Sequence, residues 1–536
     1  PDTRNVGKDA MKANGTVNRA ALPAVFNPED LQALEQGDRV AICLRNGAHW
    51  IAIDQAALGM GLVVVPLYMS DNPENIAYCA ANSDARILVL ESDRLVESLR
   101  RSMPHEPTVV CVQGGPERGA ENVDAWLPAA TQPFQVVELE RGALATICYT
   151  SGTTGRPKGA KLSHHNIMSN VDMVLAAVEL HDDDVLLSII PLSHMFERTA
   201  GYYTPLKRGI TVAYSRGVQQ IADDLQAIRP TILMAVPRIY ERFLARIEQG
   251  LGESKLKRML FRRTVELGWR IYLGEASALQ QMQYRLLKGL VADKILQRLG
   301  GRVRLSVVGG AAVEERIAKT FIGLGLSLLQ GYGLTECSPV VAANREGDPD
   351  PTSCGYPLQG VEIRVNEGHE LLVRGPNVML GYWRDPEATA KILDAEGWLN
   401  TGDQVEIKNG KIYIRGRTKD ILVLSNGEKL PTEAVETAIV NDPTFEQVML
   451  VGEGKPYVIL VAVTQEADEK KLVKRANEQL REFPRYIRVR RVIREKEPWT
   501  IENGALTPTM KIKRRMVLDR YKAQIEAIYA KDRLAD

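Results

Sequence analysis

From Gly37 onward, short β-branched runs alternate with segments of helical periodicity, and this rhythm constrains the chain more than any other feature. RVAICL is followed by a helical pattern around His49 to Leu58, then by LVVVPLY and ARILVLE, and the alternation returns around TVAYS, TILMAVP and RLSVVGG. Near-continuous apolar strands separated by amphipathic helices predict parallel sheets covered by helices. After about Gly402 the texture changes. QVEIKNGKIYIRGR alternates with period two about Asn409-Gly410, a hairpin signal because both turn residues tolerate the left-handed backbone a tight turn needs. ILVLSNGEKLPTEAVETAIV and QVMLVGEGKPYVILVAV then describe a second α+β unit with a basic helical tail. The expected division is an N-terminal domain over 1–416, a hinge over 417–420 and a C-terminal domain over 421–536.

Composition narrows the function. The chain has 536 residues, 45% apolar and 25% charged, which suits two or three hydrophobic cores and excludes disorder or a minimal binding module. Sixty-eight Lys and Arg against 67 Asp and Glu leave a net charge of +1, so no global field attracts nucleic acid. The six cysteines lack CxxC or Cys/His spacing, which argues against a zinc site and fits a reducing, cytoplasmic compartment without disulfides. The stretch from Ala56 to Met69 is interrupted by Gly59, Gly61 and Pro66 and is too short to span a bilayer. The first residues are polar and lack a secretory core.

Tyr149 to Gly159 read YTSGTTGRPKG, between the apolar LATIC and a helix-like segment starting at His164. Small residues let backbone N–H groups and hydroxyls converge on phosphate oxygens, and Lys158 adds positive charge. A nucleotide polyphosphate is the natural ligand. A Walker A loop is excluded, because Lys158 lies between Pro157 and Gly159 and no Ser or Thr follows it.

This run resembles the phosphate-binding signature of the adenylate-forming superfamily of acyl-CoA synthetases, adenylation domains and luciferases. GYGLTE at Gly331 to Glu336, TGD at Thr401 to Asp403, RGRTKD at Arg415 to Asp420 and LTPTMKIKR at Leu506 to Arg514 resemble its later signatures, in order. The resemblance implies an α/β fold: stacked α/β sheets plus a distorted β-barrel in the large domain, with a small mobile α+β cap. It also implies two steps. A carboxylate attacks the α-phosphate of ATP and releases pyrophosphate, and a thiol then displaces AMP.

By the same resemblance, Thr150, Ser151, Gly152, Thr153, Thr154, Gly155 and Lys158 hold phosphate, and Thr153 and Glu336 ligate Mg²⁺. Gly309, Gly310, Ala311 and Tyr332 wall the adenine, with Gln330, Gly331, Gly333 and Thr335 in the same nucleotide site; Asp403 meets the ribose and Arg417 the ribose or a phosphate. Lys511 matches the lysine placed between the carboxylate and the α-phosphate, where a cation offsets the repulsion of two anions. Lys419 occupies the hinge. His194 in PLSHMFER matches a position that lines the acyl site.

VPRIYERF, the helical segment over 251–304 and LTPTMKIKR together resemble the long-chain fatty acyl-CoA synthetase branch. The expected substrates are a long-chain fatty acid, ATP and CoA. A fatty acyl-AMP ligase loading a carrier protein is the alternative, and the oligomeric state stays open between monomer and homodimer. Between Leu251 and Arg304, 12 basic residues face 4 acidic ones. Lys255, Lys257, Arg258, Arg262 and Arg263 interleave with Leu256, Met259, Leu260 and Phe261, so this helix reads either as a platform on an anionic membrane or as a solvated outer helix.

Overall fold

The computed structural model describes residues 34–126, 136–150, 156–217, 219–311, 313–347, 350–417, 421–481, 483–484, 487–501, 503–507 and 511–532. Two seven-stranded sheets form the body. The first contains β1 (Arg39–Cys43), β2 (Val63–Pro66), β3 (Ala85–Ser92), β4 (Thr108–Gln113), β5 (Glu121–Asn122), β6 (Leu144–Thr150) and β7 (Lys158–Ser163), in the spatial order β5-β4-β3-β1-β2-β6-β7. All its pairings are parallel except β6 with β7.

The second sheet contains β8 (Val185–Ser188), β9 (Thr211–Tyr214), β10 (Ile232–Ala235), β11 (Leu305–Val308), β12 (Ser327–Gly333), β13 (Val340–Ala343) and β14 (Tyr356–Pro357), in the order β14-β13-β12-β11-β10-β8-β9. Val40, Ile42, Val64 and Val89 in the first sheet and Leu187, Leu233 and Leu305 in the second are all but inaccessible. Continuous apolar strands of this kind require cover on both faces, so the alternation seen in the sequence becomes two helix-covered sheets.

A four-stranded antiparallel sheet follows: β15 (Glu362–Val365), β16 (Glu370–Arg374), β17 (Leu399–Lys408) and β18 (Lys411–Arg417). It occupies the place of the expected distorted barrel, and β18 continues toward the second sheet where the Ile412 N–H donates to the Gly355 carbonyl and the Cys354 N–H to that of Ile412. The β17–β18 turn has Asn409 at φ 51° and Gly410 at φ 78°, the two left-handed residues the Asn-Gly pair predicts.

Beyond residue 420 lie β19 (Ile421–Val423) and β20 (Lys429–Pro431), then a three-stranded sheet of β21 (Gln447–Val451), β22 (Val458–Val463) and β23 (Val489–Glu495). Two separate apolar clusters, one on each face of β22, give this unit its own core. Among the described residues no helix is long and apolar enough to cross a membrane.

The body is pinned internally by a buried polar centre that the sequence does not announce. Arg198 and Asp54 are both inaccessible and pair at 2.5 Å. Tyr202 and Tyr203 donate to the other Asp54 oxygen at 3.1 and 2.9 Å, and Arg198 donates to Thr146 Oγ1 at 2.7 Å. Asp54 comes from the Ala48–Gly59 helix, Arg198 from the Glu197–Tyr203 π-helix and Thr146 from β6. One guanidinium therefore joins three elements.

Candidate functional site

The C-terminal ends of parallel strands are where open α/β sheets place ligands. β11 and β12 run side by side, with Val308 opposite Gln330, so Gly309, Gly310 and Ala311 emerge beside Gly331, Tyr332 and Gly333. Gly333 is dictated by space. A Cβ there would sit 2.0 Å from the Pro339 carbonyl oxygen, which folds back along β13. Gln330 is buried, its side-chain oxygen accepting from the Val313 N–H and its amide donating to the Pro351 carbonyl at 2.6 Å. Its side chain therefore braces the turn. Thr335 and Glu336 lie in the 3₁₀ turn Thr335–Cys337 that follows β12.

After the phosphate-loop segment the chain returns as β7, antiparallel to β6, with Thr150 opposite Lys158, a strand the sequence pattern does not mark, and the His164–Ala177 helix then starts at the expected residue. Gly159 faces Tyr149, and a Cβ on it would lie 2.5 Å from Ile147 Cγ2, so the glycine after the lysine is needed for this close pairing. Ser151, Gly152, Thr153, Thr154 and Gly155 lie outside the described residues, as does Lys419.

Residues 379–383 bring the two sheets' functional ends together. The Leu380 N–H donates to the Lys161 carbonyl, the Trp383 N–H to that of Gly159, and the Met379 N–H to that of Glu336. Tyr382 is thereby fixed between two predicted residues: its hydroxyl donates to Glu336 Oε1 at 2.7 Å, and Lys158 Nζ lies 5.3 Å from its ring centre. Burial and the Glu336 carboxylate push the Tyr382 phenol upward, so it remains a donor at neutral pH. Nothing in the sequence marked this tyrosine.

Asp403, on β17, is almost fully buried and sits opposite Arg417 of β18. Its two oxygens accept from Tyr332 at 2.6 Å and from Arg417 Nε at 2.5 Å. Three residues assigned separately to the nucleotide thus form one bonded group. Burial and the neighbouring Asp403 carboxylate hold the Tyr332 phenol far above its usual range.

Lys511 comes from the C-terminal unit. Its backbone N–H donates to Thr507 Oγ1 at 3.0 Å and its carbonyl accepts from the Thr507 N–H at 2.7 Å. Next to it, Arg514 donates to both Glu436 oxygens at 2.6 Å, fastening the segment to its own domain. Lys513 reaches across to Asp71 at 3.4 Å, with both side chains largely buried. This bridge brings Lys511 toward His194: the imidazole pKa falls to about 4, through burial first and the Lys511 charge second. His194 Nδ1 accepts from the Phe196 N–H at 3.2 Å, and the ring stands edge-on to Tyr68. The Lys511 charge therefore reaches a buried, neutral His194 across the domain boundary.

Glu336 supplies a hard oxygen donor suited to Mg²⁺. Among the described residues no group of three His, Cys, Asp or Glu could hold an ion by itself, so an ion here would depend on phosphate oxygens for much of its shell. Such an ion would neutralise phosphate charge.

Three residues after His194, Glu197 is fully buried and neither carboxyl oxygen has a well-placed partner. Burial raises its pKa from 4.5 to about 8, with Ser188 offsetting only part of the effect. A carboxyl whose folded pKa exceeds its unfolded value supports the fold fully below about 4.5 and loses that support as pH rises through about 8. Glu197→Gln, which mimics the protonated acid, should match wild type in thermal melting at pH 5 and exceed it at pH 9, by on the order of 3 to 5 kcal/mol. Parallel pH profiles for the two proteins would refute the buried neutral acid.

The AMP-binding enzyme family matches residues 30–383, and its C-terminal domain, described as that of an AMP-binding enzyme, matches 419–533. Long-chain-fatty-acid–CoA ligase FadD15 of Mycobacterium bovis is 30% identical, over 93% of this chain and 89% of its own. Long-chain-fatty-acid–[acyl-carrier-protein] ligase AEE15 of Arabidopsis thaliana is 26% identical over 92% of this chain and 79% of its own. Among solved structures, ATP-bound MatB from Rhodopseudomonas palustris aligns with a TM-score of 0.71 at 24% identity, over 94% of this chain and 92% of that one. The chain belongs to the AMP-binding, adenylate-forming enzyme family, as an acyl-CoA ligase with long-chain fatty acid ligases among its relatives.

Proposed function

We propose that the protein activates a long-chain fatty acid as acyl-AMP and transfers the acyl group to CoA. The observation that carries this reading is the approach of Lys511 to His194 from the other domain, on a body that also holds the Asp403–Tyr332–Arg417 group. In the first step a carboxylate oxygen bonds to the α-phosphorus of ATP and the bond to the pyrophosphate oxygen breaks. Lys511 lowers the repulsion between the approaching anions, and His194 orients the carboxylate through its neutral ring. In the second step the CoA sulfur bonds to the acyl carbon and AMP leaves. Lys511 would have to withdraw for the thiol to enter, a rotation assigned to the segment around Lys419.

The chain-length assignment draws on relatives named as long-chain ligases at about 30% identity. A carrier-protein acceptor is the second reading, favoured by the relative named as an acyl-carrier-protein ligase. Thioester formation from ATP and palmitate, with CoA or acyl carrier protein as acceptor, decides between them. The expected result is turnover with CoA at least about a hundredfold faster, a difference of roughly 3 kcal/mol in the barrier. Faster loading of the carrier protein would overturn the CoA assignment.

A further inference from the structure

Residues 251–304 form a helical hairpin on the outside of the second sheet. The Lys255–Tyr272 helix is joined through residues 273–277 to the Ala278–Leu287 helix, which continues as the π-helix Lys288–Ala292. Arg263 donates to Gln283 across the pair. Phe261, Thr264, Leu267 and Gly268 on the first helix and Tyr284 on the second turn inward, so Phe261 of the expected membrane face belongs to the core instead.

What faces outward is different and more extensive. Leu279, Met282 and Leu286 are 60%, 56% and 68% exposed, and Leu290 continues their line at 61%. Their spacing of three and four residues places them on one side of the helix. On the first helix Leu256 and Met259 are exposed to a similar degree. With Leu273, this hairpin holds seven of the seventeen exposed large apolar side chains among the described residues, a clustering that single scattered leucines do not produce. Around the cluster, Lys255, Lys257, Arg262 and Arg285 are exposed, and no acidic side chain pairs with them among the described residues. Of the segment's four acids, Glu266 pairs with Arg270 and Asp293 with Lys288, and Glu253 and Glu275 are exposed.

We infer that this hairpin is a docking surface for an anionic lipid bilayer, with Leu279, Met282, Leu286 and Leu290 entering the interface and the flanking cations meeting lipid phosphates. Three chemistries could cover the face, and the charge selects among them. An isologous contact with a second copy would set the exposed cations Lys255, Lys257, Arg262 and Arg285 against their own copies. A nucleic acid would satisfy the cations but leave the aliphatic stripe without a partner, since it carries no aromatic stacking platform. An anionic interface takes both. The inference relies on the proposed function only for its benefit, since a long-chain acid partitions into the same bilayer.

Sedimentation of the full chain with phosphatidylcholine vesicles, with and without phosphatidylglycerol, tests the surface. Wild type should bind the anionic vesicles at least about tenfold more tightly than the neutral ones and lose that advantage at high salt. The triple variants L279Q/M282Q/L286Q and K255Q/K257Q/R262Q should each lose about tenfold in binding, with unchanged melting and unchanged activation of detergent-dispersed palmitate. No binding by wild type, or equal binding by the variants, would overturn the assignment. So would concentration-dependent self-association abolished by the leucine variant, which would give the face to a second copy. Vesicle binding without palmitate activation would leave the surface standing and remove the proposed substrate.

Discussion

Lys511→Ala should lower the rate of acyl-adenylate formation by about a thousandfold, roughly 4 kcal/mol of barrier, while thioester formation from supplied acyl-adenylate should proceed near the wild-type rate. The split follows from geometry. Lys511 belongs to the C-terminal unit, whose segment meets the body where Lys513 pairs with Asp71. Its charge is felt at His194, the residue proposed to orient the carboxylate. On the proposed mechanism the thiol enters where Lys511 stood, and a residue carried by a rotating domain would not serve both steps. Single-turnover measurement of each half-reaction checks this, and equal loss in both would place Lys511 in a general structural role. Lys513→Ala should weaken adenylation by a smaller factor, about tenfold, because it removes the docking contact and leaves the reacting cation.

The second large effect is structural. Asp54→Ala should destabilise the N-terminal domain by about 3 to 5 kcal/mol, because it leaves the Arg198 guanidinium buried without its carboxylate and removes the acceptor of Tyr202 and Tyr203. Arg198→Met should be comparably harmful, leaving an uncompensated Asp54. The double replacement Asp54→Ala with Arg198→Met should fall well short of the summed losses, since neither charge then remains alone. Calorimetric melting of the four proteins gives the coupling directly. Additive losses would mean that the pair acts through packing, in which Arg198 also lies over the rings of Trp50 and Tyr203.

The sequence carried the two-sheet body, the Asn409-Gly410 turn and the separate C-terminal unit, because each is written in local periodicity or turn chemistry. The nucleotide residues were legible as motifs, but their mutual bonds were not. That Asp403 would receive both Tyr332 and Arg417 depends on β17 lying beside β18 and near the end of β12, a matter of sheet order that no local pattern encodes. Tyr382 was missed for the same reason: it meets Glu336 and Lys158 only because residues 379–383 lie along β7. The helix from His164 was legible, but the strand before it was not, because KGAKLS lacks a strong β signal and its place is set by pairing with β6. On the insertion, charge counting found the right region, but the outward face needed the packing that buries Phe261 and exposes Leu279, Met282 and Leu286.

The central claim is activation of a long-chain carboxylate at the α-phosphate of ATP, and pyrophosphate exchange into ATP reports that step without any acceptor. With palmitate in detergent and no CoA, the protein should catalyse exchange at least about a hundredfold faster than with acetate, and Lys511→Ala should eliminate it. Exchange that is independent of added fatty acid, or equally rapid with acetate, would contradict the account.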